Sequence, residues 1–448
     1  MIAESAKKFI GLSSFETLAM FRRGLFYAYL TIYLRHYLGL SVTATTLFAT
    51  LPMLVNITSQ AFIWGRVSDH FQLRRSLIAA GELMAALGTV GVWYLHRIPD
   101  NHRLSGYIII LGLSVVELFW SMSNISWTAL ISDLYEQEQR GRIQGRLTSM
   151  GGIGRIAGIW VGGWLYEGLD SQWAGWGFYH GDLFFIAAAV MVISTLPLLM
   201  LPEGGALPLT GSSELRNPGL SPESTEAFRI FVVFLVSMTL INFGRNSIAI
   251  VFPQYLTSGT GLALDSRTLS YVLNTQSMAV VCLGWWVGFF CHRWGTPATL
   301  LTASASSMLA LVILAGCTSL PMIYTGSFLR GVADACIMAS AYEMASVLIP
   351  ANRRARRFAW FNATFFLSWG LPGTIVVGPL VDLLVGTGYA ESYAYRVSFG
   401  LAACVVFAGW LALCILFYVL RRKRQILINE HALMGPHRLH SSSIPNGR

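Results

Sequence analysis

The chain has 448 residues, 54% of them hydrophobic and only 12% charged, with a formal charge of +9. A charged share roughly half that of an average soluble domain, with a mean hydropathy of +0.56, excludes a soluble catalytic domain of any size and indicates a polytopic membrane protein. The six cysteines (Cys282, Cys291, Cys317, Cys336, Cys404, Cys414) all fall in the second half without a C-x-x-C pair, so no disulfide framework, metal site or cofactor is implied.

A spanning helix needs about 20 apolar residues, and apolar runs bounded by charge or by Gly and Pro predict twelve spans. In chain order they cover 13–35, 43–64, 76–96, 105–130, 144–166, 182–201, 229–256, 268–290, 297–316, 320–349, 358–384 and 395–420. Lys7 and Lys8 precede the first run, but no cleavage signature follows it, so it counts as a span and not as a signal peptide. The stretch 202–228 is rich in Pro, Gly, Ser and Glu and reads as a solvated linker. It divides the chain into a six-helix bundle over 1–201, a second over 229–420, and a polar tail over 421–448 that opens on Arg421-Arg422-Lys423-Arg424. With both termini cytoplasmic, 21 of the 31 Lys and Arg lie in cytoplasmic segments, 5 in external loops and 5 inside spans. That is the asymmetry the positive-inside rule demands of a cell-membrane protein, and it leaves no basic excess that needs a nucleic-acid partner.

Two loop signatures recur between the halves. After span 2 comes Gly65-Arg66-Val67-Ser68-Asp69-His70-Phe71-Gln72-Leu73-Arg74-Arg75, and after span 8 a worn copy, Gly288-Phe289-Phe290-Cys291-His292-Arg293-Trp294-Gly295. After span 4 comes Arg140-Gly141-Arg142, matched after span 10 by the Arg353–Arg357 cluster. Signatures recurring in order, at matching intervals, mark an internal repeat. The first loop resembles the G-x-x-x-D-[RK]-x-G-x-[RK]-[RK] loop of the major facilitator superfamily of secondary transporters, departing from it at His70 and Gln72. The resemblance implies two pseudo-symmetric six-helix bundles, all α-helical, with a solute site between them near the midplane. It also implies a conformational latch at the loop ends, formed by Gly65, Asp69, Arg74, Arg75, Arg140 and Arg142, with Gly288 and Arg293 in the second copy. Gly65 would let helix ends approach and Asp69 would pair with a cation or cap a helix. Span 5 carries Gly154-Arg155-Ile156-Ala157-Gly158-Ile159-Trp160-Val161-Gly162-Gly163, similar to a glycine element that the family associates with antiporters, with Ile159 in place of its Pro. Small residues at this spacing equally serve plain helix packing.

A charge near the bilayer centre costs roughly 2.5–3.5 kcal/mol on insertion scales, so each needs a partner, a watery cavity or a task. Five arginines fall inside spans: Arg22 and Arg23 in span 1, Arg155 in span 5, Arg245 in span 7 and Arg330 in span 10. The carboxylates are Glu82, Glu117, Asp334 and Glu343. Phe21-Arg22-Arg23 and Tyr33-Leu34 recur as Phe243-Gly244-Arg245 and Tyr255-Leu256, which makes Arg23 and Arg245 symmetry partners facing one cavity. Guanidinium forks suit carboxylate or phosphate, so Arg23, Arg245, Arg155 and Arg22 are the candidate contacts for an anionic solute. The alternative is that acids such as Glu117 neutralise them and they only hold helices together. Arg330 and Asp334, four residues apart on one helix, are expected to pair with each other. Glu117 and Asp334 are the candidates for proton coupling, since carboxyl groups in water-poor cavities can exchange protons in the neutral range.

No nucleotide-binding or metal-ligating motif appears, and no nucleophile with a base, so the expected function is not enzymatic. It is the carriage of a small organic, anionic solute by a monomer in the lipid bilayer, coupled to protons or to exchange. Efflux of neutral or cationic drugs and metabolites, and a sensor that no longer transports, are the alternatives.

Overall fold

The structure is a computed structural model that describes residues 2–135, 137–205, 225–349 and 354–433. Its described secondary structure is helical throughout. Apolar side chains around most of the circumference leave no other economical arrangement, because a span in lipid must satisfy its peptide groups within itself.

The twelve expected spans map onto helices in order. Spans 1 to 6 are α1 (Ile2–Ile32), α2 (Val42–Ser59) continued by α3 (Gly65–Phe71), α4 (Arg74–His96), α5 (His102–Leu134), α6 (Gln137–Tyr166) and, after the short α7 (Trp176–His180), α8 (Asp182–Leu198). Spans 7 to 12 are α9 (Thr225–Ser247) with α10 (Val251–Thr257), α11 (Ser266–Gly284) with α12 (Val287–Trp294), α13 (Thr296–Ala315), α14 (Leu320–Leu348), α15 (Arg354–Phe366) with α16 (Gly378–Gly386), and α17 (Glu391–Leu433). Seven helices among the described residues are long and apolar enough to cross a bilayer unaided, and two bent pairs, broken by 57° in span 8 and 45° in span 11, bring the number to nine. Spans 1 and 5 do not reach that apolarity, and α8 has only 17 residues. The predicted linker begins as an ordered strap: Glu203 accepts from Ser76 N at 2.8 Å and Gly205 N donates to Asp133 at 2.9 Å. Residues 206–224 lie outside the described residues.

Span 1 packs on spans 5 and 6, span 2 on span 4, and span 3 on spans 4 and 6; in the second set span 7 packs on 12, 8 on 10, and 9 on 10 and 12. The sets meet where span 5 crosses span 8 and span 2 crosses span 11. The buried apolar residues reveal how they meet. One continuous core, including Leu34, Phe178, Phe252, Tyr255 and Phe399, runs through both sets at the end of the bundle away from the chain termini. At the terminal end each set has its own core, around Leu12, Ile78 and Leu147 in the first and Phe234, Ile337 and Phe361 in the second. The two bundles are therefore joined at the far end and separate at the terminal end.

Glycine governs the tightest contact within a bundle. A Cβ on Gly154 would lie 2.1 Å from Thr17 O, and one on Gly158 only 1.9 Å from Phe21 O. Span 1 answers with Gly24, where a Cβ would stand 2.4 Å from Arg155 O. The glycine element of span 5 is thus a packing surface against span 1, where backbones approach closely.

Candidate functional site

Helices that begin at the far end need acceptors for their first N–H groups, since lipid supplies none. Ser41 caps span 2 through Ala44 N at 3.1 Å, Asn101 caps span 4 and Asp265 caps span 8. Span 2 has a second cap from the other bundle: Asp382, at the far end of span 11, accepts from Val42 N and Thr43 N, both at 2.8 Å. A carboxylate there also opposes the positive end of the helix dipole.

Further links between the bundles cluster around this cap. Arg35 donates to Glu391 at 2.9 and 2.7 Å, and His36 meets Gln254 O at 3.1 Å. Gln254, fully buried, donates to Thr45 at 2.9 Å and accepts from Tyr395 at 3.1 Å. Span 5 meets span 8 through Glu167 and Gly163, which both accept from Ser266. At mid-depth Thr50 bonds Thr374 at 2.7 Å and Asn274 donates to Ile156 O at 3.1 Å. Among the described residues, no hydrogen bond joins the bundles closer to the terminal end than these mid-depth pairs. The space between the bundles consequently opens towards that end.

Of the intramembrane charges, Arg155 is exposed and Arg23 and Glu117 are partly so, whereas Arg22, Glu82, Arg245 and Arg330 are buried, in an arrangement that sequence spacing did not reveal. Arg22 turns away from the cleft. Its guanidinium donates to Glu82 at 2.8 Å with both side chains 2% exposed, and it lies 3.6 Å from the centre of the Trp120 ring. Glu82 also accepts from Trp120 Nε1 and Ser123, each at 2.9 Å. This buried knot of spans 1, 3 and 4 accounts for Arg22 as a packing group, and its place on the candidate list falls away.

Asp334 corrects a second expectation. Its carboxylate goes to Arg245 of span 7, not to Arg330 one turn earlier on its own helix, and its other oxygen accepts from Gln276 of span 8 at 2.7 Å. The aspartate side chain is short and is claimed by a guanidinium arriving across the helix interface, which Asn242 steadies at 2.9 Å. Arg330 instead lies 5.1 Å from the centre of the Phe252 ring. Arg245 is 7% exposed and already neutralised.

Arg23, the expected twin of Arg245, is not paired in this way. It is partly exposed, with the Trp120 ring 5.1 Å away. Glu117 is partly exposed too, and accepts from Asn56 of span 2, whose own Oδ1 accepts from Gln60 at 2.8 Å. Arg155 is exposed to the cleft and feels the fields of both Asp334 and Arg23. Among the described residues, no carboxylate lies within 4 Å of Arg23, Arg155 or Arg330. Three cations are thus left without a contact ion pair at mid-depth, a costly arrangement in a membrane unless water or a ligand compensates it.

The latch candidates lie apart from this site, at the terminal end. Arg74 holds the Ser68 carbonyl and hydroxyl and reaches Asp133 at 3.4 Å, while Arg75 bonds Glu203 at 3.1 Å. Ser68 and Asp133 belong to the first bundle and Glu203 to the strap that follows it. A Cβ on Gly65 would stand 2.8 Å from Gln60 O, so this glycine serves the π-type turn Gln60–Trp64 of its own span and not the approach of a second helix. A Cβ on Gly288 would meet nothing within 4 Å, and no ion pair is formed by Arg293 among the described residues. The side chains of Asp69, Arg140 and Arg142 lie outside the described residues.

Asn56, Gln276, Gln254 and Asp382 were missed by sequence reasoning; Gln254 and Asp382 each stand as a lone amide or acid in an apolar run, and the three amides carry no formal charge to draw attention.

A family model described as Major Facilitator Superfamily matches residues 12–373. The chain belongs to the major facilitator superfamily. The multi-drug resistance efflux pump PmrA of Streptococcus pneumoniae is 22% identical over 384 residues, covering 83% of this chain and 86% of that protein. Among solved structures, a variant of the nucleoside transporter NupG superimposes with a TM-score of 0.69 at 15% identity, over 91% of this chain and 99% of that one. The peptide transporter POT in complex with sulfate gives 0.68 at 12% identity, over 93% and 94%. A bacterial homologue of the lysosomal transporter Spinster, inward-facing and unoccupied, gives 0.66 at 15%, over 92% and 95%. These likenesses show the major facilitator fold of two six-helix bundles, and membership of the family makes the chain a multi-pass membrane transporter and not an enzyme.

Proposed function

We propose that this transporter is a secondary active carrier that moves a small organic anion by alternating access, loading it between Arg23, Arg155 and Arg330. One observation carries the reading: among the described residues, the guanidinium groups of Arg23, Arg155 and Arg330 have no carboxylate within 4 Å. A carboxylate or phosphate entering the cleft would receive charge-assisted, forked hydrogen bonds there. With the basic, terminal end in the cytoplasm, the cleft is open inwards and the Asp382 and Arg35–Glu391 contacts close the outside. Glu117 would exchange a proton as the solute binds or leaves, coupling flux to a proton gradient. Asp334, committed to Arg245, would exchange one only when that pair opens. The latch residues Arg74 and Arg75 would change partners when the terminal end closes.

Uptake by proteoliposomes from a panel of labelled organic anions and neutral solutes, with and without a pH gradient, tests this. Saturable flux of an anion is expected, lowered about tenfold or more by Arg23→Ala, Arg155→Ala or Arg330→Ala in protein that remains monodisperse. Unaltered flux in all three variants removes the anion reading. Outward movement of cationic amphiphiles driven by protons would support the competing reading, drug efflux, which the likeness to PmrA favours.

A further inference from the structure

The two bundles carry the same polar unit in two different states. In the second, Gln276 of span 8 donates to the carboxylate of Asp334 on span 10, and Arg245 of span 7 completes the ion pair. In the first, Asn56 of span 2 donates to the carboxylate of Glu117 on span 4. Arg23 of span 1 stands in the place of Arg245 but does not close on it. Asn56 and Gln276 are 220 residues apart, Glu117 and Asp334 are 217, and Arg23 and Arg245 are 222. The offsets differ by up to five residues, yet each member lies on the span that matches its counterpart's in the other half.

The difference between the states is chemical. The closed unit is neutral and has used its charges on itself. The open unit presents a carboxylate and a guanidinium that feel each other's field without touching, both partly exposed to the cleft. Glu117 is restrained on one oxygen by Asn56, which Gln60 fixes in turn. Among the described residues, its second oxygen has no hydrogen-bond donor. Two separated opposite charges at mid-depth form an incomplete ion pair, and the ligand that completes it carries the opposite charge at each end.

We propose that the solute is a zwitterion: its acidic group binds Arg23 while its ammonium or other cationic centre binds Glu117. This rests on the anion-carrier reading and narrows it, for a plain anion would leave Glu117 uncompensated and meet its repulsion.

Binding to the detergent-purified full-length protein can be measured by competition and by ligand-induced thermal shift. The panel comprises α-amino acids and dipeptides as zwitterions, dicarboxylates and sugar phosphates as plain anions, and quaternary amines as cations. At neutral pH a zwitterion is expected to bind at least about tenfold more tightly than the N-acetylated anion of the same skeleton. Glu117→Gln should abolish that preference by weakening the zwitterion and sparing or strengthening the anion. Arg23→Gln should weaken both. Equal affinity for zwitterion and acetylated anion, or a preference that survives Glu117→Gln, overturns the zwitterion assignment while leaving the anion carrier standing. Binding of cations alone, with no anionic compound of either kind, overturns both. A Glu117→Gln protein that fails to fold shifts the decision to the wild-type comparison, which needs no variant.

Discussion

Arg22 sits 2.8 Å from Glu82 and 3.6 Å from the Trp120 ring centre, while Arg23, the next residue, looks into the cleft. Successive side chains on a helix diverge by about 100°, so although both guanidinium groups lie near Trp120, Arg22 meets Glu82 and Arg23 does not. For Arg22 the consequence concerns stability. Removing one partner of a buried pair strands the other charge and costs about 3–5 kcal/mol, whereas replacing both with apolar groups is close to neutral. Arg22→Leu and Glu82→Leu should each sharply lower the thermal midpoint in detergent, and the double variant should recover most of the loss. Single variants as stable as the parent would mean that water reaches this pair. Glu117 and Asp334 follow the same logic in reverse. They lie on the corresponding spans 4 and 10, and Asp334 is paired with Arg245 whereas Glu117 is held by Asn56.

At the scale of single helices, the glycine element of span 5 and the caps at the far end have different tasks. Gly158 is fixed by contact, since its Cβ would stand 1.9 Å from the Phe21 carbonyl oxygen. Overpacking alone costs about 1–3 kcal/mol where side chains can yield. Here the neighbour is backbone and cannot yield. Gly158→Leu should therefore separate spans 1 and 5, measurable as a loss of monodisperse protein on size exclusion. A variant with parental yield and thermal midpoint would show that the helices part without penalty. Asp382 works on a moving boundary instead. It caps span 2 from the opposite bundle, so the cap must break whenever the far end opens, and span 2 must then find other acceptors for Val42 and Thr43.

For the whole molecule, the arrangement of cores describes one conformation of a two-state device. A continuous apolar core with the Asp382 cap and the Arg35–Glu391 pair closes one end, while the other end has two separate cores and no hydrogen bond across it among the described residues. Alternating access requires these far-end contacts to break in each cycle. Cysteines at positions 35 and 391, joined by a short bifunctional reagent in a background free of other reactive thiols, should stop net transport without altering the fold. Cleaving the linker should restore it. Transport that persists through a complete crosslink would mean that the far end does not open, and the alternating-access account would fail.

Hydropathy, loop charge and repeated loop signatures were enough to read twelve spans, two related bundles and the family, because lipid imposes its length and polarity requirements on each span locally. Most expected boundaries lie within a few residues of the helix ends. Span 1 starts earlier and span 12 ends later because a helix continues past the bilayer wherever its backbone bonds remain satisfied. The five intramembrane arginines were legible for the same reason, since each is an exception to an apolar run. Their partners were not. Arg22 with Glu82, Arg245 with Asp334 and Gln276, Glu117 with Asn56: each joins side chains from different helices, and which neighbours meet depends on helix rotation and crossing, which no local pattern encodes. The composition of the site was thus present in the chain, whereas its division into a neutralised half and an open half was decided by packing.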